Sequence, residues 1–331
     1  MKGDNFMKKK CLFALVFISV NFLMTAQSAS ETGHNLSLGA SVGLLAGRTE
    51  EILYVNSVSK NKASQLLWDM KPLVYAGADI HYNYQPPVRN IGIFSDVSFK
   101  CGFPGKTGVM EDRDWVMVYY PNWLTHYSVH DNKTERAILV DAKAGPSFTV
   151  LKNYRLKFFI SYSFMQFSYT GIGGSILYPD WPPLFPGEHD YFPPSLKGIT
   201  YEQTWNMLSL GLSFYSQFNR YFDIELLFSA SPFIWCSAKD QHLLRDLVIN
   251  STMLGGISFE PGLLFSFKPH TLFALALSFT YRNISGTRGY SDCTGSEIYE
   301  EYGRQKVRFN NVSGAGYSVF DIGIVIQYKL F

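Results

Sequence analysis

Apolar and polar residues alternate with a period of two along much of this chain, and that period predicts strands rather than helices. From Trp68 to Tyr82 the even positions read Trp68, Met70, Pro72, Val74, Ala76, Ala78, Ile80 and Tyr82, while Asp69, Lys71, Asp79 and His81 fall among the odd ones. Between Phe222 and Ile234 the even positions are again nearly all apolar, opposite Asp223, Glu225, Ser229 and Ser231. The C-terminal segment sets Phe320, Ile322, Ile324, Ile326, Tyr328 and Leu330 against Asp321, Gln327 and Lys329. Successive side chains of an extended chain point to opposite faces, so each segment has one apolar and one polar face.

About ten such strands are expected, near 35–49, 64–83, 90–104, 134–151, 154–178, 200–218, 221–236, 248–267, 270–283 and 314–331. They outrun the five or six residues usual for strands of soluble sheets, which argues against a β-sandwich. Two-faced strands of this length predict an all-β fold, a transmembrane antiparallel up-and-down β-barrel with its apolar face toward lipid and its polar face inside. Short turns at 84–89, 152–153, 219–220 and 268–270 alternate with long connections at 50–63, 105–133, 179–199, 237–247 and 284–313. The long connections therefore share one rim, the extracellular one in an outer membrane.

Composition narrows the function. Of 331 residues 17% are charged and 16% aromatic, and the net charge is +2, so no nucleic-acid footprint is visible. Lys8, Lys9 and Lys10 precede an apolar run from Cys11 to Met24 and the small residues between Ala26 and Ala29. Residues 1–29 are therefore expected to be an export signal, too short to span a bilayer, with 30–331 forming a single barrel; Met7 is an alternative start. Cys101, Cys236 and Cys293 remain, an odd number without metal-ligand spacing, and a disulfide between two of them is left open. His81, His126, His130, His189 and His270 are scattered and read as lumen or loop residues, so no metal and no cofactor is expected. No nucleophile elbow or phosphate loop occurs. The stretch from Trp181 to Pro186 reads as a stiff extracellular loop.

Two short acidic motifs remain. Asp112 and Asp114 stand two residues apart in the second long connection, and Asp240 and His242 two apart in the fourth. Alternating topology brings both pairs to the same rim. If extended, Asp112 and Asp114 point the same way, and two carboxylates that close favour a shared proton or a polarised water. A carboxylate beside an imidazole orients the ring and stabilises its protonated form, which makes His242 a candidate general base and Asp240 its orienting partner. One obstacle stands against this. The phase of the strand beginning at Phe222, if continued, turns Asp240 and His242 toward lipid; Pro232, which cannot donate to a sheet ladder, is expected to mark a bulge that resets it.

At these residues the chain resembles the omptin family of outer-membrane endopeptidases. Asp112, Asp114 and Trp115 match the family's Asp-x-Asp-Trp, and Asp240 with His242 matches its Asp-x-His dyad. The segment from Gly47 to Tyr54 is similar to the first-loop stretch that supplies a substrate-binding glutamate, here Glu51. Ser64 to Trp68, Asn153 to Leu156 and Gly314 to Gly316 are also similar to family stretches. The resemblance implies peptide or protein substrates outside the cell, hydrolysed by water that the dyad and the Asp112/Asp114 couple activate. It also implies a preference for basic residues and an outer-membrane location in a diderm bacterium. Two departures limit it. The family's second pocket acid, two residues before the dyad Asp, is replaced by Ala238, followed by Lys239, and Glu51 alone is left to receive a basic side chain. In the lipid A motif Tyr162 is kept, but Phe164 and Gln166 replace Glu and Arg, so dependence on lipopolysaccharide is not expected. The alternative from another class is a proteolytically silent barrel serving as an adhesin or structural protein; a small-solute porin is a weaker third reading.

Overall fold

A computed structural model describes residues 33–331 apart from 57, 59–60, 87–89, 116–122 and 179–187. The expected export signal at 1–29 and the Trp181 to Pro186 stretch lie outside the described residues. The chain is built from β1 (His34–Tyr54), β2 (Lys62–Tyr84), β3 (Ile91–Gly102), β4 (Gly105–Asp114), β5 (His126–Leu151), β6 (Tyr154–Tyr178) and β7 (Glu188–Gln217). There follow β8 (Phe222–His242), β9 (Leu247–Leu254), β10 (Ile257–Phe267), β11 (Phe273–Ser285), β12 (Arg288–Gly295), a short helix α1 (Ser296–Tyr302) and β13 (Lys306–Lys329).

Ten strands close a ring in the order β1-β2-β3-β5-β6-β7-β8-β10-β11-β13, with β13 returning to β1 through antiparallel pairs from Ser37↔Lys329 to Leu53↔Ser313. This is the expected antiparallel up-and-down barrel. Around its waist the outward positions are apolar, among them Val42, Ile80, Ile160, Leu210, Phe228, Leu277 and Ile324, all exposed. Such a belt is stable only where lipid replaces water.

Above the belt the wall continues where long loops were expected. β3 stops at Gly102, and β4 carries its line upward between β2 and β5. β9 and β12 likewise extend the lines of β10 and β11 and pair with each other. Most of 105–133, 237–247 and 284–313 is thus strand, and the upper ring is again ten strands, β1, β2, β4, β5, β6, β7, β8, β9, β12 and β13. Two broken lines turn at glycines in the left-handed region: Gly255 and Gly256 (φ 72° and 87°) between β9 and β10, and Gly286 (φ 76°) between β11 and β12.

The side-chain phase changes at the same level. On β8 the pairing passes from Leu210↔Ala230 to Leu208↔Phe233, so one extra residue is inserted at Ser231 and Pro232. The Ser231 hydroxyl donates to the Leu208 carbonyl (2.7 Å) and accepts from the Phe233 N–H (3.1 Å), satisfying groups the bulge leaves off the ladder. Below it Leu226 and Phe228 face outward; above it Phe233 and Trp235 do, and Ile234, Cys236, Ala238 and Asp240 turn into the lumen. The reset expected at Pro232 is present. β2 has a second one that the period-two reading passed over, between Leu45↔Leu73 and Gly47↔Met70. The even positions from Trp68 to Tyr82 therefore do not share one face: Val74 and Ile80 face out, whereas Trp68 and Met70 are fully buried inside.

The inverted phase fills the upper lumen with an apolar layer. Trp68 stacks on Tyr169 (5.4 Å) and Tyr201 (5.5 Å), and Phe167 packs against Tyr169 and Tyr317. Below this layer lies a polar cavity of about 400 Å³, lined by residues including Asp96, Lys143, Lys157, Glu225 and Arg282.

Candidate functional site

The two acidic pairs sit above the aromatic layer, on strands rather than in loops. On β4 the parity that buries Met110 also turns Asp112 and Asp114 inward, while Glu111 and Arg113 pair with each other on the outer face. Register places Asp112 between Leu66 of β2 and Ser128 of β5, and Leu66 lies opposite Glu51 of β1. Glu51 and Asp112 are therefore in one row, two strand spacings or about 10 Å apart along the wall. On β8 the reset phase brings Asp240 and His242 inward, opposite Tyr201 and Ile199 of β7. In the upper ring β4 and β8 are four strands apart, so the two pairs face each other across the mouth. The structure brings together all five sequence-expected residues: Asp112, Asp114, Asp240, His242 and Glu51.

The dyad is formed: His242 Nε2 lies 2.8 Å from Asp240 Oδ2. Asp240 is only 1% exposed, and its other oxygen, Oδ1, has no hydrogen-bond partner. Burial works against the charge of His242, but Asp240 outweighs it, by charge and hydrogen bond, and with Asp112 pushes the imidazole up to about 9. Asp112 is pushed up to about 8 by burial, then by the charges of Asp114 and Asp240, with His242 and Arg245 acting in the opposite direction. Both shifts favour the protonated forms, an imidazolium beside Asp240 and a neutral Asp112, and the two groups titrate as a coupled set.

Glu51 is the third acid. It is 3% exposed, neither carboxylate oxygen has a partner, and burial with the nearby Asp240 and Asp112 raises its proton affinity far above that of a free glutamate. Ala238 is buried on the lumen side of β8, where it adds no second charge. Lys239 is exposed on the outer side, so the like charge that the sequence put beside the pocket points away from it. A buried, unpaired carboxyl is an incomplete arrangement that a cationic side chain completes.

Arg245 and the aromatic layer were not found from the sequence. Arg245 follows His242 by three residues, and its guanidinium donates to Glu297 of α1 through Nε (2.8 Å) and a terminal nitrogen. No sequence signal links positions 52 residues apart. Among the other histidines, His130 is buried on β5 beside Ser128 (3.1 Å) and stacks on Phe192, while His81 lies in the lower lumen 3.0 Å from Asp96. No disulfide joins any two of Cys101, Cys236 and Cys293, so the pairing left open is not formed. Among the described residues no three His, Cys, Asp or Glu side chains form a metal-sized cluster.

Tyr162, Phe164 and Gln166 alternate on the outer face of β6. Tyr162 donates to Asn206 (2.6 Å), and Gln166 donates to Glu202 (3.0 Å), which also receives Arg136 (2.7 Å).

Comparison with known proteins places this geometry in a family. The sequence model described as the Omptin family matches residues 32–330. The chain is 25% identical over 254 residues to the plasminogen activator of Yersinia pestis, covering 75% of this chain and 77% of that protein. It is 24% identical over 314 residues to protease 7 of Escherichia coli K12, covering 93% of this chain and 91% of that protein. The crystal structure of the outer membrane protease OmpT from Escherichia coli superposes with a TM-score of 0.79 at 20% identity, covering 89% of this chain and 96% of that one.

Proposed function

The chain belongs to the Omptin family, whose members among its relatives are outer-membrane proteases, and from that premise we propose that it is an endopeptidase cleaving peptides or proteins at the cell surface. It lies in the outer membrane with the mouth that carries the acids facing out. Residues 1–29 serve as its export signal. The observation that carries the reading is the dyad, with Asp240 buried and 2.8 Å from the His242 ring, facing Asp112 and Asp114.

In the proposed reaction the Asp112/Asp114 couple holds a water against the scissile carbonyl. His242, once neutral, takes a proton from that water as its oxygen attacks, and the imidazolium so formed is stabilised by Asp240. The couple shares a proton during collapse, and the His242 proton passes to the departing amine. Water is the only nucleophile, so no acyl-enzyme is formed. Glu51 receives the side chain before the cleaved bond, and with Ala238 in place of a second acid its preference for Lys and Arg is weaker than that of its relatives. Gln166 and Phe164 offer lipid phosphates no charge of their own, so activity depends little on lipopolysaccharide.

Digestion of a fluorogenic peptide library by cells displaying the protein tests this. Cleavage should persist in chelator and in serine-directed inhibitors and vanish in the His242→Ala protein. A displayed, folded barrel that cuts no peptide would favour the binding role of a silent barrel.

A further inference from the structure

The turn after the dyad is tied to a distant part of the chain. After His242 the backbone reverses within four residues: the Arg245 N–H donates to the His242 carbonyl (3.2 Å), and Asp246 takes the left-handed conformation (φ 45°). Two contacts then fasten this turn to α1. Asp246 accepts the Ser296 N–H (3.2 Å), and the Arg245 guanidinium grips the Glu297 carboxylate with two donors. Such a forked ion pair fixes direction as well as distance. The guanidinium is therefore held at the lip of the mouth within electrostatic reach of Asp112 and Asp114.

Asp112 is faced by Asp114 on its own strand, by Asp240 and His242 from β8 and by Glu51 from β1. His242 is faced by Asp240, by Asp112 from β4, by Glu297 from α1 and by the buried His130 from β5. The carboxylates in both sets make protons harder to remove. Arg245 is a fixed cation common to both, and it lowers the proton affinity of Asp112 and His242 alike.

Resting on the hydrolytic reading above, we propose that Arg245 is a positioning residue of the site: the turn after His242 and the clasp with Glu297 hold its guanidinium at the rim, where its charge governs how the acid cluster and the His242 ring exchange protons. It acts through those groups without touching substrate. The β12–β13 connection thereby becomes part of the active centre, since α1 supplies the anchor.

The test is the pH dependence of kcat/KM for the full-length exported protein in detergent, with position 245 varied in charge. Wild type should gain activity as pH rises and the cluster deprotonates. Arg245→Gln should move that limb to the alkaline side, a severalfold loss at pH 7 that is recovered at high pH. Arg245→Glu should move it further in the same direction, and Arg245→Lys should keep it close to wild type. A limb that follows the charge at 245 supports the inference. An equal loss at every pH, or no loss, overturns it while leaving the protease reading intact; a folded wild type that cleaves nothing overturns both.

Discussion

Charged side chains line the lumen both below and above the aromatic layer, and the two halves treat them differently. Below, the strong charges pair, Lys157 with Glu225 at 2.9 Å, Lys143 with Asp96 at 3.5 Å, Lys100 with Asp321, and Arg282 with both Asp141 and Glu260, with the buried Asp79 as an exception. Above, Glu51, Asp112, Asp114 and Asp240 crowd together, with His242 and the rim-held Arg245 as their named cations. Burying an ion without a counterion costs several kcal/mol, so the lower half has the composition expected of a part selected to hold the barrel together. In the upper half burial and mutual repulsion raise the proton affinity of Glu51 and Asp112. Buried acids with raised proton affinity are poised to move protons, and that sets the upper half apart as the candidate site.

Truncating the dyad sharpens this contrast most. His242→Ala should lower kcat/KM by about a thousandfold or more, since base and orientation are lost together. Removing the ring leaves the buried Asp240 without its partner, so the thermal transition should fall, though by less than when a lumen cation shared by two carboxylates is lost. Peptide cleavage and the unfolding midpoint, measured on the same preparation, check it. A large loss of stability with the activity would place His242 among the structural residues.

The mirror-image change lies below. Arg282→Met leaves Asp141 and Glu260 without their shared cation and should cost about 3–5 kcal/mol of barrel stability, read as a lower guanidinium midpoint in detergent. Activity of the protein that remains folded should stay within about threefold of wild type, since the aromatic layer separates Arg282 from the dyad. Equal loss of both properties would mean that the halves are coupled through the layer.

How much of this contrast was legible in the sequence depended on the period of two. Where one face meets lipid every outward position is apolar, as at Phe320, Ile322, Ile324 and Ile326, and the ten lines of the ring followed from it. Above the belt both faces of the wall are wet or packed, alternation fades, and β4, β9 and β12 read as connections. Proline marked the phase changes on β8 and β2 but not the one on β5, where Glu135 is the extra residue. It was used at Pro232 and not at Pro72, although each sits inside a long strand whose ladder it cannot join. The dyad and the couple were legible because each lies within two residues. The row joining Glu51, Leu66 and Asp112 depends on register between three strands, and the Arg245–Glu297 clasp on a closure of 52 residues, and neither leaves a local pattern.

A smaller effect is expected where the acids are fewest. Ala238 faces the lumen on β8 two residues before Asp240, whose charge reaches Glu51, and Ala238→Asp would add a second carboxylate there. A charge-assisted contact to a buried ion contributes about 1.5–3 kcal/mol, so discrimination for Arg over uncharged residues should rise by about tenfold or more. Profiling both proteins on one peptide library decides it. A wild type already strict for basic residues and indifferent to the substitution would mean that other residues build the pocket.

The smallest expected effect isolates Glu51 from the dyad by the sign of its pH dependence. Burial and two neighbouring acids raise its proton affinity, so the empty site favours its neutral form. A cationic side chain entering the pocket must ionise it, and that ionisation releases one proton per substrate bound. Binding of an arginyl substrate should therefore strengthen as pH rises, by up to about tenfold per unit until the free glutamate itself ionises. A substrate with an uncharged residue at the same place releases no proton from Glu51 and should bind without that slope. Because proton release at the dyad affects both substrates, the ratio of their KM values cancels it and reports Glu51 alone. Glu51→Gln should flatten the ratio. A ratio that keeps its slope in the Gln protein would assign the basic side chain to a different acid, of which Asp240, with one oxygen unpartnered, is the nearest.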